Sequence, residues 1–141
     1  MKVKELVDIY YKFPASASVS EAACFMDSKP TASVLVEEKN RPVGVLTERD
    51  LLRKVLAKKR DPEETKVKEI MNTPIISISE EDSVSEASLL MDKHNIRRLA
   101  VINAQGEIIG KITSKKIARN FTRIFAKKLR DKEFRGTVLY K

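Results

Sequence analysis

Cysteine is almost absent from this chain: Cys24 stands alone among 141 residues. A single cysteine excludes an internal disulfide and any cysteine zinc cluster, and it agrees with a reducing compartment. Histidine is equally scarce. With only His94 available, neither a His/Cys metal set nor a Ser-His-Asp constellation can be assembled, and no phosphate-binding P-loop is present. A non-enzymatic protein with no required cofactor is therefore expected. Tryptophan is missing and aromatics make up 6%, few for stacking on single-stranded nucleic acid. Four Gly and five Pro exclude collagen-like and low-complexity chains. No apolar run reaches the roughly 18 residues of a membrane span. Lys2, Lys4, Glu5, Asp8 and Lys12 leave no apolar signal core near the start. A cytoplasmic location is the expectation.

What is present suits one globular unit of ordinary size. Hydrophobic residues make up 42% and charged residues 34%, with a net charge of +8. The charge is lopsided: residues 1–110 carry 17 Lys/Arg against 18 Asp/Glu, whereas residues 111–141 carry 11 against 2. Such an excess marks either a solvated basic helix face or a surface for an acidic partner.

The chain also repeats itself. Val19-Ser20-Glu21-Ala22 returns 65 residues later as Val84-Ser85-Glu86-Ala87, and Met26-Asp27 returns as Met91-Asp92. Upstream, Val3-Lys4-Glu5-Leu6 is echoed by Val67-Lys68-Glu69-Ile70. Downstream, Gly44-Val45-Leu46-Thr47 is echoed by Gly110-Lys111-Ile112-Thr113. Two copies of one unit are predicted at residues 1–60 and 67–126, joined by a linker at 61–66 and followed by a basic C-terminal extension at 127–141.

Each unit can be read locally. Ser18 and Ser83 stand three residues before Glu21 and Glu86, a capping-box spacing that starts a helix. Val19, Ala22, Ala23 and Met26, and then Val84, Ala87, Ser88 and Met91, form one helical face in each copy. Cys24 within the first of these helices reads as a small buried hydrophobe, and His94 as a helix C-terminal imidazole. Asp27 and Asp92 read as exposed helix residues. Strands are predicted at 10–13, 33–37, 43–46, 75–78, 98–102 and 108–112 from β-branched and apolar runs between polar turns. Leu51, Leu52, Val55 and Leu56, and then Ile117, Phe121, Ile124, Phe125 and Leu129, mark a closing helix in each unit. The fold class is α/β (α+β), with the order β-α-β-β-α used twice. Units of this size bury small cores, so they should pack together as a pseudo-twofold pair with clefts at the junction.

The tandem order and the strand-end pattern Gly44-Val45-Leu46-Thr47-Glu48-Arg49-Asp50 resemble a CBS-domain pair, or Bateman module. The second copy of the pattern is Gly110-Lys111-Ile112-Thr113-Ser114-Lys115-Lys116. The resemblance covers about residues 3–126. It implies a regulatory module that binds AMP, ADP, ATP or a related adenosyl ligand such as S-adenosylmethionine between the repeats and acts on a separate protein. It also implies a homodimer formed through the helices; the small residues Ala22/Ala23 and Ala87/Ser88 would supply that contact, or else serve closer helix packing within the chain.

In the first cleft the resemblance places Thr31, Ala32, Val45, Thr47, Arg49 and Asp50, with Ile76, Ile96 and Arg97 facing them from the other repeat. A carboxylate such as Asp50 accepts from two ribose hydroxyls, and Thr47 bonds ribose or phosphate. The plainer alternative is a capping box between Thr47 and Asp50; both roles stay open. Ile76 and Ile96 would hold an adenine, or simply fill a core. The second cleft is atypical. Lys116 replaces the ribose-binding carboxylate and Lys111 replaces an apolar residue, so Lys111, Thr113, Lys115 and Lys116 suit phosphate or no ligand. The alternative function is nucleic-acid binding through the basic helix, whose apolar stripe the fold would otherwise use for its own core; no helix-turn-helix or zinc-finger signature supports it.

Overall fold

Ser18 and Ser83 cap their helices as the spacing predicts. Ser18 Oγ accepts from the Glu21 N–H at 3.1 Å and Ser83 Oγ from the Glu86 N–H at 3.0 Å. A computed structural model describes residues 1–128. In chain order it contains a 3-10 turn (Val3–Leu6), β1 (Lys12–Pro14), α1 (Val19–Ser28), β2 (Ser33–Glu38), β3 (Arg41–Thr47) and α2 (Glu48–Asp50). The last of these runs on as a π-helical segment, Leu51–Leu56. Then follow α3 (Val67–Ile70), β4 (Ser77–Ser79), α4 (Val84–His94), β5 (Arg98–Ile102), β6 (Ile108–Thr113) and α5 (Ser114–Lys128). The expectations placed at Leu129, Arg130 and 131–141 lie outside the described residues.

The fold is a mixed α+β pair of three-stranded sheets, ordered β1-β2-β3 and β4-β5-β6. In each sheet the first strand is parallel to the second and the second is antiparallel to the third.

The short lead-in segments change places. Val3 and Leu6 pack with Ile78, Val84, Leu99 and Ile112 of the second repeat. Val67 and Ile70 pack with Val19, Val34 and Leu46 of the first. Backbone bonds fix the exchange, from Val3 N–H to Asp82 O at 2.8 Å and from Val67 N–H to Ala17 O at 2.9 Å. The chain then pairs Asp8 with Lys111 on β6, and Asn72 with Val45 on β3. These pairings explain why β1 and β4 begin two residues later than predicted. The residues in between carry the chain from one sheet across to the other, and Tyr10, Leu35 and Ala100 close the junction as a third buried cluster.

The crossing also accounts for the glycine that opens each signature. A Cβ on Gly44 would stand 2.8 Å from Met71 Sδ and 3.0 Å from Asn72 O; one on Gly110 would meet Val7 Cγ1 and stand 2.5 Å from Asp8 O. Only a residue without a side chain lets the lead-in backbone lie this close.

Three helix expectations need correction. Val19, Ala22 and Met26 are buried, but Ala23 is exposed, and so is Ser88 in the other copy. Cys24 is exposed rather than buried, because at about 100° per residue it falls nearly opposite the buried stripe. On α5, Ile117 is buried, yet Phe121, Ile124 and Phe125 are 55%, 41% and 60% exposed. The core does not absorb that stripe, since α5 starts beside the C-terminal end of α4 and by Asn120 has reached Met1, which is bonded to Val84 at the other end of that shorter helix. No helix among the described residues is long and apolar enough to cross a membrane.

Candidate functional site

β3 delivers Thr47 to the junction of the sheets, and α2 begins immediately after it. The Thr47 N–H donates to Asp50 Oδ2 at 2.8 Å, and the Asp50 N–H donates back to Thr47 Oγ1 at 3.2 Å. The capping box is thus formed. Thr47 Oγ1 also donates to Oδ2 at 2.9 Å, and Asn72 Nδ2 donates to the same oxygen at 2.7 Å. Among the described residues, Oδ1 is held only by the ammonium of Lys54, at 3.1 Å. That lysine is 41% exposed whereas the carboxylate is 9% exposed. Asp50 is therefore a fixed, buried acceptor whose Oδ1 keeps spare capacity for further donors.

Two hollows meet beside it. The smaller, about 250 Å³, is walled by Tyr10, Val45, Ile76, Ile96 and Ala100. The larger, about 850 Å³, is lined by Arg49, Arg53, Arg97 and Arg98 together with Glu48 and Asp92. Thr47, Asn72, Ile96 and Arg98 belong to both. One wall is apolar and flat enough for a ring, the next is rich in guanidinium groups, and the Thr47 hydroxyl stands where they join, with the Asp50 carboxylate bonded behind Thr47 and Asn72. This combination suits an apolar ring, a polyol and an anion joined in that order.

The structure brings Val45, Thr47, Ile76 and Ile96 together and lines the adjoining hollow with Arg49 and Arg97, whereas Asp50 lines neither hollow and lies behind Thr47 and Asn72. Thr31 and Ala32 do not join them. The structure places them in the second cleft, a space of about 1040 Å³ shared with Lys111, Thr113 and Lys115. The error follows from the repeat itself: Thr31 and Ala32 are the counterparts of Ile96 and Arg97, and each such pair serves the cleft of the other repeat's signature. Tyr10, Asn72 and Arg98 are among the first-cleft residues that escaped the sequence reading. Asn72 had a signal, since it sits 64 residues after Asp8 in the echoed lead-in.

The second cleft differs in kind. Thr113 caps α5, with the Lys116 N–H donating to its Oγ1 at 3.1 Å, but Lys116 cannot complete a box. Its ammonium turns to Asp8 instead, 3.2 Å from Oδ1, so Lys116 is spent on an ion pair and does not line the cleft. Lys111 is buried and donates to Thr31 Oγ1 at 3.0 Å and to Ser33 Oγ at 3.2 Å. Its ammonium lies 5.4 Å from the centre of the Tyr10 ring. Burial, followed by the nearby Arg98 charge, pulls the Lys111 pKa down, while Asp8 opposes the shift. Burial pushes the Tyr10 phenol up to about 12.

The family model for the CBS domain matches the chain twice, at residues 3–57 and 67–123. The chain belongs to the CBS-domain family. It is 34% identical over 110 residues to an uncharacterized protein of Methanopyrus kandleri, covering 78% of this chain and 56% of that protein. The CBS chain thus spans little more than half the length of that relative. It is 33% identical to the Bacillus subtilis CBS domain-containing protein YhcV, covering 73% of this chain and 72% of that one. Among solved structures, a CBS domain protein of Pyrobaculum aerophilum complexed with AMP superposes with a TM-score of 0.76. It is 27% identical and the match covers 90% of this chain and 99% of that chain. A CBS-domain pair is a regulatory module, and the two signature clefts are where this CBS pair differs from itself.

Proposed function

We propose that the chain is a ligand-sensing CBS pair that binds an adenosine nucleotide in the first cleft and regulates a separate partner protein without catalysis of its own. The observation that carries this reading is the junction of the apolar hollow with the arginine-rich one at Thr47. An adenine fits between Ile76 and Ile96, a ribose meets Thr47 and Asp50 Oδ1, and phosphates reach Arg97, Arg98 and Arg49. AMP bound to the similar Pyrobaculum protein supports the same class of ligand; ADP, ATP and S-adenosylmethionine share its adenosyl part. Regulation requires the ligand to bind two states with different affinity. A homodimer through the outer helix faces, where Ala23, Ser88 and Leu89 are exposed, would let a change in repeat packing reach the partner. The site requires no cofactor.

With 3 Tyr and no Trp, the protein absorbs weakly at 280 nm, so a co-purified nucleotide raises the 260/280 ratio. A ligand-free sample titrated calorimetrically with AMP, ATP and S-adenosylmethionine should bind at least one of them. Absence of heat with all three at millimolar concentration removes the proposal.

A further inference from the structure

Lys111 is a buried cation with an incomplete set of partners. It is 8% exposed, and among the described residues it forms no ion pair. Two neutral hydroxyls, Thr31 and Ser33, accept from an ammonium that has three N–H donors. Asp8, the carboxylate that offsets its charge, is already engaged by Lys116 at 3.2 Å. A buried charge left this way is costly unless something negative joins it.

The surroundings point the same way. Lys111 forms part of the wall of the second cleft, along with Arg97, Arg98 and Lys115. The carboxylates there are Asp8, paired as above, and the exposed Asp27 and Glu48. Thr113 adds a hydroxyl at the start of the 15-residue α5, an end that favours negative charge. The first cleft keeps Val45 at the position corresponding to Lys111, and there the wall stays apolar. In the second, an ammonium bonded to Thr31 stands where a nucleobase would need an apolar surface.

We propose that the second cleft is a base-free oxyanion site: it takes a phosphoryl group, free or on a small phosphoester, against Lys111 and Lys115, the two cations that line this cleft and not the first. This goes beyond the adenosine reading of the first cleft and does not depend on it. The chain would then hear two chemically distinct signals, one through each repeat.

The test is a calorimetric titration of the full chain with inorganic phosphate and, separately, with glycerol 3-phosphate, in low-chloride buffer near neutral pH. The parent should bind one phosphoryl ligand per chain, and the tighter of the two identifies free phosphate or a phosphoester as the source. Lys111→Met, which keeps the length of the side chain, should weaken that binding at least about tenfold, the loss expected for one charge-assisted hydrogen bond. Adenosine, which carries no phosphate, should bind Lys111→Met as it binds the parent, and this separates failure here from failure in the first cleft. Should Lys111→Met not fold, Lys115→Gln on the exposed first turn of α5 decides the matter by a clear loss of phosphate affinity. Equal phosphate affinity in the parent and in the folded variants overturns the proposal, as does no phosphate binding by the parent at millimolar concentration.

Discussion

Lys111 Nζ donates to Thr31 Oγ1 at 3.0 Å, a bond between residues 80 positions apart that ties the third strand of one repeat to the second-strand edge of the other. The equivalent place in the first cleft is held by Val45, facing Ile76 and Ile96. One substitution within a duplicated motif therefore puts an apolar side chain in one cleft and an ammonium at the corresponding place in the other.

Stability should carry the mark of this buried lysine at alkaline pH. The ordinary lysine value is 10.5, and in the folded chain Lys111 titrates below it. Between the folded and unfolded values the unfolded chain binds more protons, so stability rises with pH through that window. Tyr10 acts with the opposite sign. Its folded value of about 12 exceeds the ordinary 10.0, so its contribution is complete below pH 10 and is lost as pH climbs towards 12. Arg98 and Asp8, the latter paired with Lys116, are the other charges facing the pair. Urea unfolding across pH 8 to 12 should show a rise followed by a fall, and Lys111→Met should abolish the rise.

Asp50→Ala removes a partner of Thr47, Asn72 and Lys54 at once. Loss of the cap alone costs about 1 kcal/mol, whereas the exposed Asn72 amide keeps Val45 O as an acceptor. Adenosine-nucleotide binding should fall by roughly 10- to 150-fold, since a charge-assisted bond contributes about 1.5–3 kcal/mol. Calorimetry beside thermal unfolding checks both. A folded variant with parental affinity would show that the carboxylate serves the helix and not the ribose.

Gly44→Ala and Gly110→Ala should both destabilise, and unequally. At Gly44 the nearest obstacle is the thioether of Met71, a flexible side chain; at Gly110 the Asp8 carbonyl is in the way and is itself bonded to Lys111. Overpacking costs about 1–3 kcal/mol, with Gly110→Ala at the upper end. Urea midpoints of the two variants give the order directly.

The basic helix invites a test of nucleic-acid binding. Under the sensing proposal, duplex DNA should not be retained at about 50 mM salt, where phosphate contacts are strong. Retention with a log–log salt slope near −0.9 per phosphate, weakened by charge reversal at Arg119, Arg123 and Lys127, would instead favour the alternative function.

Much of the architecture is legible in the chain because it is set by neighbours in sequence. The caps at Ser18 and Ser83 need only a backbone N–H three residues on, and the Glu86 carboxylate completes the box at Ser83. The strand at 98–102 appears where its β-branched run predicts. Thr47 and Asp50 find each other across one turn. What is misread depends on the far side of the pseudo-twofold. Cys24 faces outward because the buried stripe of α1 is narrower than its apolar residues suggest, and Phe121 and Phe125 stay exposed for want of a helix to cover them.

The amino-acid order by itself determined the two β-α-β-β-α units, their family and the chemical inequality of the two signatures, since periodicity, capping and motif spacing all act over a few residues. Only the tertiary structure decided which residues share a cleft. Thr31 meets Lys111, Asn72 meets Asp50 and Asp8 meets Lys116 because the lead-in segments cross between the repeats, and contacts between segments so distant in the chain arise from the packing of two cores rather than from any local pattern.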